Sequence, residues 1–289
     1  MGPAWFTLAS GKKDCGVKRT DLTLKNPQGK TLQCSYFEKG EEGAEKVGTV
    51  VYLHGNCSCR LEALPLLDLL IPKGISVFCF DFAGCGLSEG EYVSLGWHER
   101  DDLEVVIDHL KKQGVTKIGL WGRSMGAVTA LMYAERDLAI AAMVLDSPFS
   151  DLKQLVKDLA RTQSNVPNFL ISGALKFVKK SVKKRAGFDL TNVKPYIHAE
   201  HCYVPALFGV AKDDELISPQ NHGEVLYHRY AGEKFLVKFE GKHNDKRPEF
   251  FMIEAADFLE MHLKSPLIIQ PPPTFSEPRK LQVVKKHKS

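Results

Sequence analysis

The sequence predicts an α/β protein built on a mostly parallel, doubly wound sheet, and three observations predict it. Short apolar runs alternate with amphipathic segments along most of the chain, the rhythm of a strand followed by a crossover helix. Val47–His54, Ile75–Asp81 and Ile140–Leu145 are continuous in apolar residues rather than alternating, as strands covered on both faces must be. Finally, Gly122-x-Ser124-x-Gly126 stands between an apolar run and a helical segment. A strand that turns at once into a helix forces the middle residue into a strained conformation, and both neighbours must be nearly free of side chain.

Residues 1–16 carry no clear pattern. Arg19–Leu24 and Lys30–Phe37 flank Asn26-Pro27-Gln28-Gly29 and read as an antiparallel hairpin. Glu38–Lys46 is a charged loop, and Val47–His54 is the first buried strand, running into Gly55-Asn56. A helix is expected over 60–71. Ile75–Asp81 follows and leads into Gly84-Cys85-Gly86-Leu87-Ser88-Glu89-Gly90. Leu103, Val106, Ile107 and Leu110 recur at helical spacing, and Gly114 closes that helix.

Lys117–Trp121 is the strand before Ser124, and Ala127–Tyr133 opens the helix after it. Ile140–Leu145 ends in Asp146-Ser147-Pro148-Phe149. Residues 151–200 lose the alternation and read as a helical cap inserted into the sheet. Val204–Val210, a helix over 219–230, the strand Lys234–Phe239 and the helix Pro248–Leu263 restore the alternation. The expected organisation is one domain over 17–264, with the cap at about 151–200. Residues 265–289, with Pro271-Pro272-Pro273 and scattered lysines, read as an extended or disordered basic tail.

Composition excludes several function classes. The tail holds Arg279, Lys280, Lys285, Lys286 and Lys288 against Glu277, which accounts for the whole net charge of +4. The remainder is neutral, so no global basic field argues for nucleic acid. The seven cysteines are an odd number, with Cys79 and Cys85 in or beside a buried strand, and the first twenty residues hold no signal-like apolar run. The expectation is free thiols in a reducing, cytoplasmic compartment. No stretch approaches the ~18 apolar residues of a membrane span.

In open α/β sheets ligands bind at the carboxyl ends of the strands. The residues standing there are His54-Gly55-Asn56, Asp81, Ser124, Asp146, Lys212–Asp214 and His243. A serine nucleophile needs a base within reach and a carboxylate to orient that base. Ser124, Asp214 and His243 follow in the chain order that such a sheet imposes. His243 is the expected base, in the loop Glu240-Gly241-Lys242-His243-Asn244. Of the adjacent acids Asp213 and Asp214 only one can meet it. Asp214 is favoured, because Leu216 and Ile217 would anchor its loop.

The N–H groups of Asn56 and Met125 are the expected oxyanion donors. No cofactor is expected, since Gly84-x-Gly86-x-x-x-Gly90 lacks the dinucleotide spacing and places Glu89 where a pyrophosphate would lie. No metal is expected either, since His54, Cys57 and Cys59 have no second ligand pair at a structural-site spacing. In the cap, Ile171, Ala174, Leu175, Val178 and Val182 share one face of a helix over 170–185, and Lys176, Lys179, Lys180, Lys183 and Lys184 the other. The favoured reading is an apolar face packed on the sheet with solvated lysines. The alternative is peripheral contact with an anionic membrane or an acidic partner.

Several stretches together resemble the α/β-hydrolase superfamily, and more narrowly the S33 serine-aminopeptidase-like branch found in plants and protists. They are Tyr52-Leu53-His54-Gly55-Asn56, Asp81-Phe82-Ala83-Gly84-x-Gly86-x-Ser88-x-Gly90, Gly119–Thr129, Met143–Asp151 and Gly241-x-His243-Asn244-x-x-Arg247-Pro248. The resemblance implies the α/β-hydrolase fold, with Ser124 as nucleophile, Asp214 as acid and His243 as base. The chain is similar, more distantly, to the α/β-hydrolase-domain depalmitoylases, but lacks their N-terminal cysteine cluster. The expected activity is cleavage of a carboxylic ester or thioester, on a small-molecule or lipid acyl substrate. The alternatives are an amidase of the aminopeptidase type, for which the cap offers no clear carboxylate cluster, and a non-catalytic membrane- or partner-binding scaffold.

Overall fold

A computed structural model describes residues 4–6, 16–40, 46–163 and 168–266. In chain order the elements begin with β1 (Ala4–Phe6), β2 (Val17–Lys25), β3 (Thr31–Lys39), β4 (Gly48–Leu53), α1 (Leu64–Leu70) and β5 (Ile75–Phe80). Next come α2 (Glu99–Lys112), β6 (Ile118–Arg123), α3 (Met125–Ala134) and β7 (Ile140–Asp146). The chain then passes through α4 (Leu152–Gln163), α5 (Asn168–Ala186) and α6 (Pro195–Ala199). It closes with β8 (Ala206–Ala211), α7 (Gly223–Arg229), β9 (Lys234–Phe239) and α8 (Glu249–Lys264).

Among the described residues, nine strands join one sheet in the order β1-β2-β3-β5-β4-β6-β7-β8-β9. The pairs from β1 to β3 and the β3–β5 pair are antiparallel, and every pair from β5 to β9 is parallel. From β4 the chain moves to β5 on one side, then crosses back to β6 on the other. That reversal is a topological switch point, where a crevice opens at the carboxyl ends. Leu53 pairs with Gly122 across it, so Gly55-Asn56 and Ser124 leave the sheet side by side.

The two faces of the sheet carry separate cores, because successive strand side chains point to opposite sides. Val50 and Tyr52 of β4 pack with Leu66, Leu67 and Leu70 of α1 and with Phe251, Ala255 and Leu259 of α8. Val51 and Leu53 pack with Leu103, Val106 and Ile107 of α2 and with Leu131 of α3. A third cluster joins α3 to the segment between β7 and β8, through Val128, Met132, Phe149, Leu152, Leu155, Phe188 and Leu190. Among the described residues, no helix is long and apolar enough to cross a membrane.

Four local features differ from the sequence reading. β1 was not foreseen, since three residues are too few to display a strand period. The helix expected over 60–71 is a 3₁₀ turn, Arg60–Ala63, followed by α1 with Pro65 in its first turn. Proline lacks an N–H and is tolerated only where helix donors are unpaired in any case. The helix expected from 219 starts at Gly223. In α5, Leu175 is buried as expected, but Val178 is 45% exposed and Phe177 is 79% exposed. The side chains of Ile171 and Ala174 lie outside the described ones, as does the tail beyond residue 266.

Candidate active site

Ser124 sits between the last residue of β6 and the first of α3, with φ 51° and ψ −112°. A non-glycine residue held there is strained by about 1–3 kcal/mol, and the surroundings must impose it. Its N–H donates to the Asp146 carbonyl at 2.7 Å. A Cβ on Gly126 would fall on the Leu53 carbonyl oxygen, and one on Gly122 would fall on the Gly126 carbonyl. The two glycines therefore let α3 start directly against β4 and expose the serine at the sheet edge.

Asp214 follows β8 and is 5% exposed. Its Oδ1 accepts the N–H groups of Leu216 at 3.0 Å and Ile217 at 2.7 Å. Its Oδ2 lies 2.6 Å from His243 Nδ1. His243 Nε2 lies 3.1 Å from Ser124 Oγ. A carboxylate accepts only, so Nδ1 carries the proton and Nε2 is left to accept from the hydroxyl. Asp213 is exposed, and its Oδ2 accepts the Gly241 N–H at 3.3 Å. The structure thus brings Ser124, His243 and Asp214 together and leaves Asp213 outside. Such a relay can take the hydroxyl proton as the oxygen attacks a carbonyl carbon.

The Asn56 and Met125 N–H groups donate to no partner among the described residues. His54 is wholly buried; its Nδ1 lies 2.7 Å from the Gly55 carbonyl, and its Nε2 accepts the Phe82 N–H at 3.2 Å. Burial lowers its pKa, in keeping with a neutral ring that stitches β4 to β5. Asp81 and Asp146, which also stand at strand ends, are engaged by arginines. Asp81 accepts the Arg60 guanidinium, the Arg60 N–H at 2.6 Å and the Leu87 N–H at 2.9 Å. Asp146 receives Arg247 Nε at 3.0 and 2.8 Å.

Sequence reasoning gave no role to three residues that frame the site. Arg247 holds the histidine loop through the carbonyls of Lys242 at 3.3 Å and Asp245 at 3.0 Å. Arg123 Nη1 donates to Glu62 Oε1 at 2.7 Å, and its Nη2 to the His243 carbonyl at 2.9 Å. Glu62 Oε2 accepts the Gly55 N–H at 2.8 Å. Burial disfavours the Arg123 charge, but Glu62 and Asp146 outweigh it and the pKa is raised. The visible signals were a charged residue between Gly122 and Ser124 and Arg247 four residues after His243. Among the described residues, no group of three or more His, Cys, Asp or Glu side chains could hold a metal ion.

A family model described as serine aminopeptidase, S33, matches residues 44–197. The protein YqkD of Bacillus subtilis (strain 168) is 32% identical over 200 residues, 68% of this chain and 64% of that one. A protein of Macaca fascicularis named lysophosphatidylserine lipase ABHD12 is 27% identical over 241 residues, 76% of this chain and 55% of that one. The chain thus spans less than two thirds of the length of either relative. Among solved structures, the esterase Pf2001 of Pyrococcus furiosus superposes with a TM-score of 0.67 at 22% identity, covering 85% of this chain and 93% of that one. That likeness is one of fold, the α/β-hydrolase fold that the sequence motifs imply.

Proposed function

The chain belongs to the serine aminopeptidase, S33, family, and from that premise we propose that it is an esterase-like hydrolase that cleaves carboxylic esters or thioesters through an acyl-enzyme on Ser124. The observation that carries this reading is one imidazole 3.1 Å from Ser124 Oγ and 2.6 Å from Asp214. As Oγ attacks the acyl carbon, His243 Nε2 takes its proton, and Asp214 holds the ring and stabilises the imidazolium. The N–H groups of Asn56 and Met125 receive the oxyanion; each such donor is worth ~2.7–4 kcal/mol of transition-state stabilisation. His243 then protonates the departing alcohol or thiol and activates the water that releases the acid.

A lipid or other acyl substrate is the class favoured. One relative carries the name of a lysophosphatidylserine lipase, and a structural neighbour that of an esterase. Exposed Phe177 among lysines on α5 favours a second, compatible reading, peripheral contact with an anionic membrane. The six described cysteines are free thiols, which supports a reducing, cytoplasmic setting.

The test is labelling by a fluorophosphonate, beside turnover of p-nitrophenyl esters and thioesters. Ser124→Ala and His243→Ala should each lose labelling and cut kcat by ~10⁴-fold or more. Persistent labelling of folded Ser124→Ala would overturn the reading. Preference for aminoacyl amides over esters would move the protein to the amidase alternative.

A further inference from the structure

We infer that the Glu62–Arg123 ion pair is a positioning device that sets the oxyanion loop, the serine turn and the histidine loop in register; this rests on the acyl-enzyme reading. The pair stands where the three segments meet. Glu62 spans two of them, accepting the Gly55 N–H at 2.8 Å with one oxygen and Arg123 at 2.7 Å with the other. Arg123 precedes Ser124 directly and spans to the third, donating to the His243 carbonyl at 2.9 Å. Both side chains are largely withdrawn from water, at 21% and 16% exposure, so neither behaves as a screened surface charge.

The geometry also separates the roles of the two side chains. With the Gly55 N–H committed to Glu62, that group is not available to an oxyanion, in keeping with the next N–H in the loop, that of Asn56, as the donor of the proposed mechanism. Arg123 uses one arm of its fork on Glu62 and the other on the His243 backbone, and so acts on the reaction through the imidazole rather than by touching substrate. A lysine ammonium is a compact point charge without that planar fork, so it cannot reproduce both bonds in one geometry. The histidine loop keeps its second anchor, Arg247 on Asp146 and on the carbonyls of Lys242 and Asp245. Loss of Arg123 therefore loosens the imidazole without releasing the loop.

The experiment measures kcat and KM for p-nitrophenyl butyrate, fluorophosphonate labelling rate and thermal midpoint. Wild type is compared with Arg123→Lys, Glu62→Gln and the double variant. A misplacement of about 1 Å costs up to ~100-fold. Each single variant should therefore lose roughly 10- to 100-fold in kcat and in labelling rate, with KM within about twofold. Because the pair acts as a unit, the double variant should lose no more than the worse single. Midpoints close to wild type are expected in Arg123→Lys.

Singles within twofold of wild type in kcat would overturn the inference. So would losses that multiply in the double variant, or losses that match a fall in the folded fraction. If instead Ser124→Ala still turns over the ester, or wild type takes no label, the acyl-enzyme reading falls and takes this inference with it. Normal kcat in Arg123→Lys beside a dead Ser124→Ala defeats the positioning role alone.

Discussion

At the scale of single residues, the tightest constraint in the site is an absent side chain. A Cβ on Gly126 would press on the Leu53 carbonyl, with the His54 carbonyl oxygen only 2.9 Å away. Those are backbone atoms of β4 and its exit, and they have no rotamer through which to yield. Gly126→Ala should therefore destabilise the protein by about 3 kcal/mol, the upper part of the range for overpacking. Because the strain falls where Gly55-Asn56 leaves the sheet, labelling of Ser124 should slow as well. Gly173, in α5, has nothing within 4 Å of its added Cβ. Gly173→Ala should be neutral or stabilising by up to ~1 kcal/mol. Urea midpoints of the two variants check this, and equal midpoints would refute it. Ser124, Asp214 and His243 were legible beforehand because chain order and strand ends are one-dimensional properties. Glu62 and Arg123 were not, since a contact between residues 61 positions apart leaves no local period.

At the scale of elements, the segment between β7 and β8 is pinned by a histidine whose burial disfavours its charged form. His222 precedes α7 and is wholly buried. Its Nδ1 lies 3.0 Å from Ser150 Oγ, just past β7, and its Nε2 lies 3.6 Å from Asp158 of α4. Burial lowers its pKa, and the nearby carboxylates of Asp158, Asp151 and Asp214 only partly offset that. Below its free value of ~6.5 the unfolded chain therefore binds a proton that the native chain refuses. Stability rises with pH wherever the unfolded state holds more protons. The contribution is thus present above pH ~6.5 and is lost as pH falls toward the lowered native value. Unfolding midpoints should drop between pH 7.5 and 5.5, and His222→Gln should show a shallower slope. His54, His109 and His262 are lowered too, so the slope difference between variant and wild type isolates His222. Parallel slopes would dismiss the idea. Buried strands were the elements read most surely, because continuous Val, Ile, Leu and Phe have few other uses. The apolar stripe of α5 was read only in part, with Leu175 buried and Val178 exposed, because periodicity locates a stripe but not which of its members the neighbours cover.

At the scale of the whole molecule, crossover helices between parallel strands bring the carboxyl ends of β4 to β9 to one edge of the sheet, the edge where ligands bind in such folds. α4 leaves β7 at its carboxyl end, the edge that carries Ser124, and α5 follows it in the chain. Lys176, Lys180 and Lys184 are exposed and share one face of α5 with Phe177. The body carries no net charge, so this cluster is a local feature rather than part of a general basic field. Near an anionic leaflet each lysine contributes about 1 kcal/mol. Burying a phenylalanine adds roughly 1.5–3 kcal/mol. On the proposed reading of α5 as a membrane contact, the two terms together correspond to weak, reversible association. The protein should therefore sediment with phosphatidylserine-containing vesicles and not with phosphatidylcholine alone, and binding should weaken as salt rises. Phe177→Ser should weaken binding by about tenfold or more, and neutralising the three lysines to glutamine should abolish it. Both variants should keep wild-type turnover of soluble esters, since neither touches the triad. The tail carries five basic residues of its own, so a variant with only those neutralised is the necessary comparison. Binding that survives the α5 substitutions but disappears with the tail charges would assign the membrane contact to the tail and leave α5 as a solvated wall of the cap.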